Sequence, residues 1–162
     1  MKTNYFLSIL IAFVILNTNL YAGGACSPAS TNTSCAGSTS LTSGAACVNG
    51  TTCQGGTQSA SSCLFAGSEC SWYSFTASAA SMYVNIDVTA TGGCHISSNI
   101  YSGSCASLTE ISCQSGAPLD DLHSLTGLTP GNTYFIQVCY SPGGPCGNNA
   151  SAEYCIEVGE PT

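Results

Sequence analysis

The chain has 162 residues, with 8 Asp and Glu, 12 cysteines and a single Lys or Arg, which is Lys2. Nucleic acid and anionic lipid surfaces are excluded as partners, because both need Lys and Arg to neutralise phosphates. One domain is the default at this length, and ion pairs from Lys or Arg cannot hold it together.

Lys2 supplies a positive start, Phe6–Leu16 is mostly large and apolar, and Leu20-Tyr21-Ala22 offers a cleavage site. This pattern predicts a secretory signal peptide over residues 1–22. Nothing later is apolar for long enough to span a bilayer, so no membrane insertion is expected of the mature form. Acylation of Cys26 would make a lipoprotein, but Gly23-Gly24-Ala25 lacks the aliphatic residue that reaction expects. The exported part, 23–162, is then one domain in which about one residue in twelve is cysteine, the level of a disulfide scaffold. Cys26, Cys35, Cys47, Cys53, Cys63, Cys70, Cys94, Cys105, Cys113, Cys139, Cys146 and Cys155 contain no Cys-x-x-Cys pair, so thiolate metal centres are not indicated. A catalytic thiol needs an electropositive setting, which this chain does not supply.

Residues 23–69 are dominated by Ser, Thr, Ala and Gly and on composition alone would not fold. Their five cysteines predict short strands and loops stapled to the remainder; the alternative is a flexible stalk. Regular strands are expected over 70–160. Ser71–Ala77 is a short β-rich run. Met82–Ala90 alternates with Met82, Val84, Ile86 and Val88 on one face, and Gly92-Gly93 breaks it. Ile96–Tyr101 follows, ended by Ser102-Gly103-Ser104, then Leu108–Cys113, a turn near Gly116 and Pro118, and a short His123–Leu125. Pro130-Gly131 makes a turn ahead of Thr133–Tyr140, where Tyr134, Ile136, Val138 and Tyr140 share one face. A Tyr placed there suits a tyrosine corner, whose hydroxyl returns to the upstream backbone. After the loop 141–145, Ala152–Val158 closes the chain with Tyr154, Ile156 and Val158 inward. No window shows helical spacing with caps. The fold class is all-β: a two-sheet antiparallel β-sandwich, disulfide-rich, of jelly-roll or fibronectin-like kind.

Four runs in order, WYSFTA at 72–77, IYSGSCASLTEISC at 100–113, GLTPGNTYFIQV at 127–138 and YCIEV at 154–158, resemble a known family. It is the secreted β-sandwich modules of Bacteroidota extracellular proteins, related to bacterial pre-peptidase C-terminal domains. Cys35 before Ala36, and Leu41 ahead of Cys47, extend the likeness over nearly all of 30–158. The resemblance implies a non-catalytic module at the cell surface or outside the cell, partnered with protein or glycan. Such modules often sit in long chains ending in a type IX sorting domain; this sequence stops at Pro161-Thr162, which fits a stand-alone form or a fragment. Related domains bind calcium through acids before the Trp-Tyr strand, where this chain keeps only Glu69. No other cofactor is implied. The resemblance also implies a local Cys105–Cys113 bridge. Strand geometry leaves Cys139–Cys155 open against Cys35–Cys155 with Cys139–Cys146, among on the order of ten thousand pairings.

Two constellations could carry function. Asp120, Asp121 and His123 form the densest ionisable cluster, to which Glu110 could add a ligand for calcium or a partner in acid/base hydrolysis; a polar loop tip is the plainer reading. Trp72, Tyr83, Tyr101 and Phe135 fall opposite the inferred core and could form an exposed strip for stacking sugar rings or docking a protein. Serine-hydrolase elbows, zinc-protease helices and phosphate loops are missing from the sequence. A binding, adhesion or structural role is therefore expected, with carbohydrate recognition and calcium-assisted hydrolysis as alternatives.

Overall fold

A computed structural model describes residues 28–63, 69–89, 95–115, 120–140 and 151–161. The predicted leader 1–22, Cys26, Cys94, Cys146, the turn at Gly116 and Pro118, and the loop 141–145 lie outside them. Nine strands are described: β1 (Thr39–Leu41), β2 (Val48–Thr51), β3 (Cys70–Thr76), β4 (Ser81–Val88), β5 (Ile96–Ser104), β6 (Ser107–Ser115), β7 (Asp120–Thr126), β8 (Thr133–Tyr140) and β9 (Glu153–Gly159). One sheet has the order β1-β3-β8-β5-β6 and the other β2-β9-β4-β7. The sheets face each other as the predicted sandwich, antiparallel throughout except that β1 pairs with β3 in parallel.

Strict alternation explains why these strands sit as they do. Met82, Val84 and Ile86 of β4, Tyr134, Ile136, Val138 and Tyr140 of β8, and Tyr154, Ile156 and Val158 of β9 all enter one core, as their spacing predicts. Tyr73 and Phe75 join them from β3, and Ile96 and Ile100 from β5. Each large side chain so buried stabilises by about 1.5–3 kcal/mol. Phe75 stacks on Tyr134 with ring centroids 5.6 Å apart.

The Pro130-Gly131 turn forms as read. Gly131 has φ +86°, and its flanking Asn132 N–H donates to Thr129 O at 3.1 Å. The tyrosine corner is present too: the Thr129 N–H donates to Tyr134 Oη at 2.9 Å. Tyr134→Phe should therefore lower stability by about 1–2 kcal/mol, because it leaves that amide without its acceptor. Urea denaturation of the oxidised protein reads this directly, and an unchanged midpoint would mean the corner hydroxyl contributes nothing.

Two local expectations are corrected. Ser102-Gly103-Ser104 does not end β5; the strand continues to Ser104, which pairs with Ser107 across a two-residue turn at Cys105-Ala106. Gly103 permits this with φ +99°, where a Cβ would overlap Ser107 O. β7 is a full strand from Asp120, not a short His123–Leu125 run after a loop tip.

The stapled N-terminal part supplies the edge strands β1 and β2 and, beyond them, a third layer, which the flexible-stalk alternative does not describe. Residues 52–63 cross the outer face of the five-stranded sheet as a strap. Gly56 bridges Cys70, the Ser59 N–H donates to Gln137 Oε1 at 3.3 Å, and Tyr101 Oη donates to Ala60 O at 3.3 Å. Cys63 then bonds to Cys113 of β6.

The bridges differ from every pairing expected. They join Cys35 to Cys105, Cys47 to Cys155, Cys63 to Cys113 and Cys70 to Cys139, with Cα separations of 4.1–6.0 Å. Cys53 is also disulfide-bonded, to a residue outside the described ones. Cys105 and Cys113 cannot bond each other: one is in the hairpin turn, and the other is the seventh residue of β6, about 20 Å along the strand. Cys139 and Cys155 do both point outward, but from different sheets, so they lie on opposite faces of the sandwich. Cys35 is taken by the hairpin tip, which removes Cys35–Cys155, and Cys139 pairs across β3 and β8 instead of with Cys146.

Candidate functional site

The aromatic strip does not exist as a surface. Trp72 and Tyr101 are 2 % and 1 % exposed, stacked on each other at 5.8 Å beneath the strap. Burial pushes the Tyr101 phenol up to about 12, with the nearby Glu110 charge acting in the same direction. Phe135 is half-buried opposite Ser74, and Tyr83 lies on β4 of the other sheet, against Gly159. Trp72, Tyr101 and Phe135 therefore do share the outer face of the five-stranded sheet, Phe135 pairing with Tyr101, but the first two are covered and Tyr83 belongs to the other sheet. A period of two predicts which residues point away from the core, but not that a distant segment covers them.

The acidic cluster is divided in the same way. Glu110 faces the strap, where its carboxylate accepts from Ser62 Oγ, from the Ser62 N–H at 3.0 Å and from Asn99 Nδ2 at 2.8 Å. Burial alone would raise its pKa, but these hydrogen bonds outweigh it and hold the carboxyl below its ordinary value. Asp121 points the other way, between the sheets, 1 % exposed. The side chain of Asp120 lies outside what is described. Among the described residues, no three of His, Cys, Asp and Glu are grouped to hold a metal. Glu69, the one acid kept before the Trp-Tyr strand, accepts from the Gln54 N–H at 2.9 Å. The expected calcium set of Asp120, Asp121 and Glu110 is thus not assembled.

Asp121 and His123 instead build an inter-sheet polar chain that the loop-tip reading missed. In the register of β4 with β7, core residue Met82 faces Leu125, Val84 faces His123 and Ile86 faces Asp121. Leu125 anchors the inward face, and alternation then carries His123 and Asp121 inward while Leu122 is left 54 % exposed. Ser98 of β5 donates to Asp121 Oδ2 at 2.7 Å and lies 2.8 Å from His123 Nε2; Ser112 of β6 lies 2.8 Å from Nδ1. Since the Ser98 proton goes to Asp121, Nε2 carries the imidazole proton and Nδ1 accepts from Ser112. Burial lowers the His123 pKa to about 4, which keeps the ring neutral and makes it a weak base at neutral pH. This chain of four side chains clasps the sheets where β6 passes to β7.

A cleft of about 560 Å³ opens at the opposite end, where the edge strands β1 and β2 lie. Its floor is Tyr73 and Tyr154, whose hydroxyls are 3.0 Å apart, with ring centroids at 6.2 Å. Burial raises both phenols, Tyr154 well above its ordinary value, so both stay neutral. Gly50 brings β2 against this floor, and a Cβ there would overlap the Tyr73 hydroxyl. Asn32 is anchored beside it, accepting from Ser30 Oγ at 2.8 Å and donating to Trp72 O. The walls add Thr31, Thr39, Asn49, Thr51, Thr89 and Glu153. No sequence motif marks this cleft, because its residues come from six separate stretches.

No protein-family model and no curated protein matches this chain.

Proposed function

We propose that this chain is an exported, disulfide-held β-sandwich that recognises a ligand without transforming it, seating it in the cleft between the β1 and β2 edges. The observation that carries this reading is the cleft itself: a Tyr73–Tyr154 floor under mostly uncharged polar walls, of the size of a small-ligand pocket. Export is supported by the four bridges, which belong to an oxidising compartment, together with the leader-like residues 1–22. Among the described residues no helix is long and apolar enough to cross a membrane. The non-catalytic part of the proposal is supported by the low proton affinity of His123 and by the separation of Glu110 from Asp121. A surface partner, protein or glycan, is the proposed ligand source, as the likeness to secreted Bacteroidota modules implies.

The test screens the oxidised protein against a glycan array and a panel of immobilised extracellular proteins. Thr39 lines the cleft and pairs with Tyr73 on the same side of the sheet, so Thr39→Trp should fill the cleft. At least one saturable ligand is expected, with binding at least about tenfold weaker in the variant. A screen with no ligand, or a ligand indifferent to Thr39→Trp, overturns the proposal.

A further inference from the structure

We infer that the outer face of the five-stranded sheet is a binding site for an extended peptide of small, uncharged residues, which the strap fills in cis. This site is separate from the cleft, and its test does not depend on it. Three observations carry it.

The first is what the face reads. Gln137, 0 % exposed, donates from Nε2 to Thr57 O at 3.4 Å and accepts from the Ser59 N–H at 3.3 Å. One side-chain amide thus spans an acceptor and a donor two residues apart, as a neighbouring strand would. Tyr101 Oη donates to Ala60 O, and Glu110 accepts from the Ser62 N–H. All four contacts go to main chain. Such recognition fixes an extended backbone and leaves the side chains specified mainly by size.

The second is what lies beneath. Trp72 and Tyr101, stacked at 5.8 Å, put a flat aromatic surface under that backbone. Ala, Ser and Thr can lie across it, whereas a large side chain pointing down would lift the backbone off its partners.

The third is that the strap fits imperfectly. Asn99 is 0 % exposed, and its Nδ2 faces the Glu110 carboxylate at 2.8 Å, which fixes the amide orientation. Its Oδ1 is then a buried acceptor with no hydrogen-bond partner, as is Gln58 Oε1 on the strap. A buried acceptor without a donor is costly, so a peptide that places a donor at Asn99 Oδ1 uses the face better. Attachment keeps the strap in place: Cys63–Cys113 holds one end and the Cys53 bridge the other. It therefore competes at the high effective concentration of a tethered ligand. Exchange with an external dithiol opens one tie, leaving Cys63 and Cys113 as thiols and the dithiol as a disulfide.

The experiment opens the strap in two ways. Cys63→Ser with Cys113→Ser removes one tie and keeps the other bridges. Gln54→Arg puts a trypsin site at the exposed start of the strap, in a chain with no Lys or Arg beyond Lys2, so nicking leaves every bridge intact. The probe is the capped peptide TQSASS, the strap's own 57–62, titrated calorimetrically and by the emission of Trp72. Both opened forms are expected to emit further to the red, and to return on saturable peptide binding at least about tenfold tighter than in the intact protein. The reordered peptide SATSQS should bind within about threefold, and TQSWSS at least about tenfold more weakly. Gln137→Met in an opened form, similar in shape but without the amide, should weaken binding at least about tenfold.

Urea midpoints separate strap release from unfolding, and the nicked form decides if the double variant does not fold. Trp72 emission unchanged in the opened forms, or no peptide bound by them, overturns the inference. Binding of a neutral oligosaccharide in place of peptide overturns the ligand class. Affinity that depends on residue order, or that ignores Gln137→Met, overturns the main-chain reading.

Discussion

Reduction is expected to unfold this protein at room temperature. The four described bridges span sequence separations of 50, 69, 70 and 108 residues. On chain-entropy grounds each restricts the unfolded state by about 4–5 kcal/mol taken alone, less when loops overlap. A domain of this size has roughly 5–15 kcal/mol in total, so losing several bridges removes most or all of it. The strap is the most exposed to this loss. It offers mostly small, polar side chains to the sheet, and Cys63–Cys113 is the covalent tie that holds it beside Glu110 and Asn99. Trp72, the only tryptophan, is buried under that strap and reports the event: its emission should move to the red on reduction. Replacing Cys47 and Cys155 together by Ala, which opens the longest loop, should by itself lower stability by about 4–5 kcal/mol. Unshifted Trp72 emission in the fully reduced chain would show that core burial and backbone ladders suffice.

Acid should destabilise the oxidised protein well before its carboxylates titrate. His123 takes a proton near pH 6.5 in the unfolded chain, but only at about 4 in the folded one, because its ring is buried between the sheets. Between those values the unfolded state binds more protons, so stability is full above pH 6.5 and falls as the pH drops toward 4. The separation of the two values corresponds to roughly 3 kcal/mol. Glu110 acts in the same direction at lower pH, since its folded pKa lies below its ordinary value; its contribution is lost as pH falls through that lowered value. Urea midpoints measured across the range read both. His123→Asn should remove the slope between pH 6.5 and 4, whatever its effect on stability at neutral pH. A wild-type midpoint that stays flat over that window would contradict the buried neutral imidazole. Protonation acts where it does because Nδ1 accepts the Ser112 hydroxyl, so a proton on Nδ1 breaks one link of the clasp between β6 and β7.

The amino-acid sequence by itself determined the all-β class, the disulfide-bound character and the inward faces of β4, β8 and β9. It also determined the Pro130-Gly131 turn and the Tyr134 corner. Each of these is written in neighbouring residues: alternation of period two, a proline that presets φ, a glycine that permits positive φ, a ring five residues from the amide it accepts from. Only the tertiary structure decided which cysteines bond, since that requires Cα atoms within about 7 Å and so depends on sheet order, not spacing. The same holds for the outward faces. Alternation put Trp72 and Tyr101 away from the core, and the strap then buried them. It was the register with β4 that turned Asp121 and His123 inward, although Leu122 beside them is the more apolar residue. The cleft is the furthest from local pattern: Asn32, Gly50, Tyr73 and Tyr154 meet only because two sheet edges come together over one pair of buried phenols.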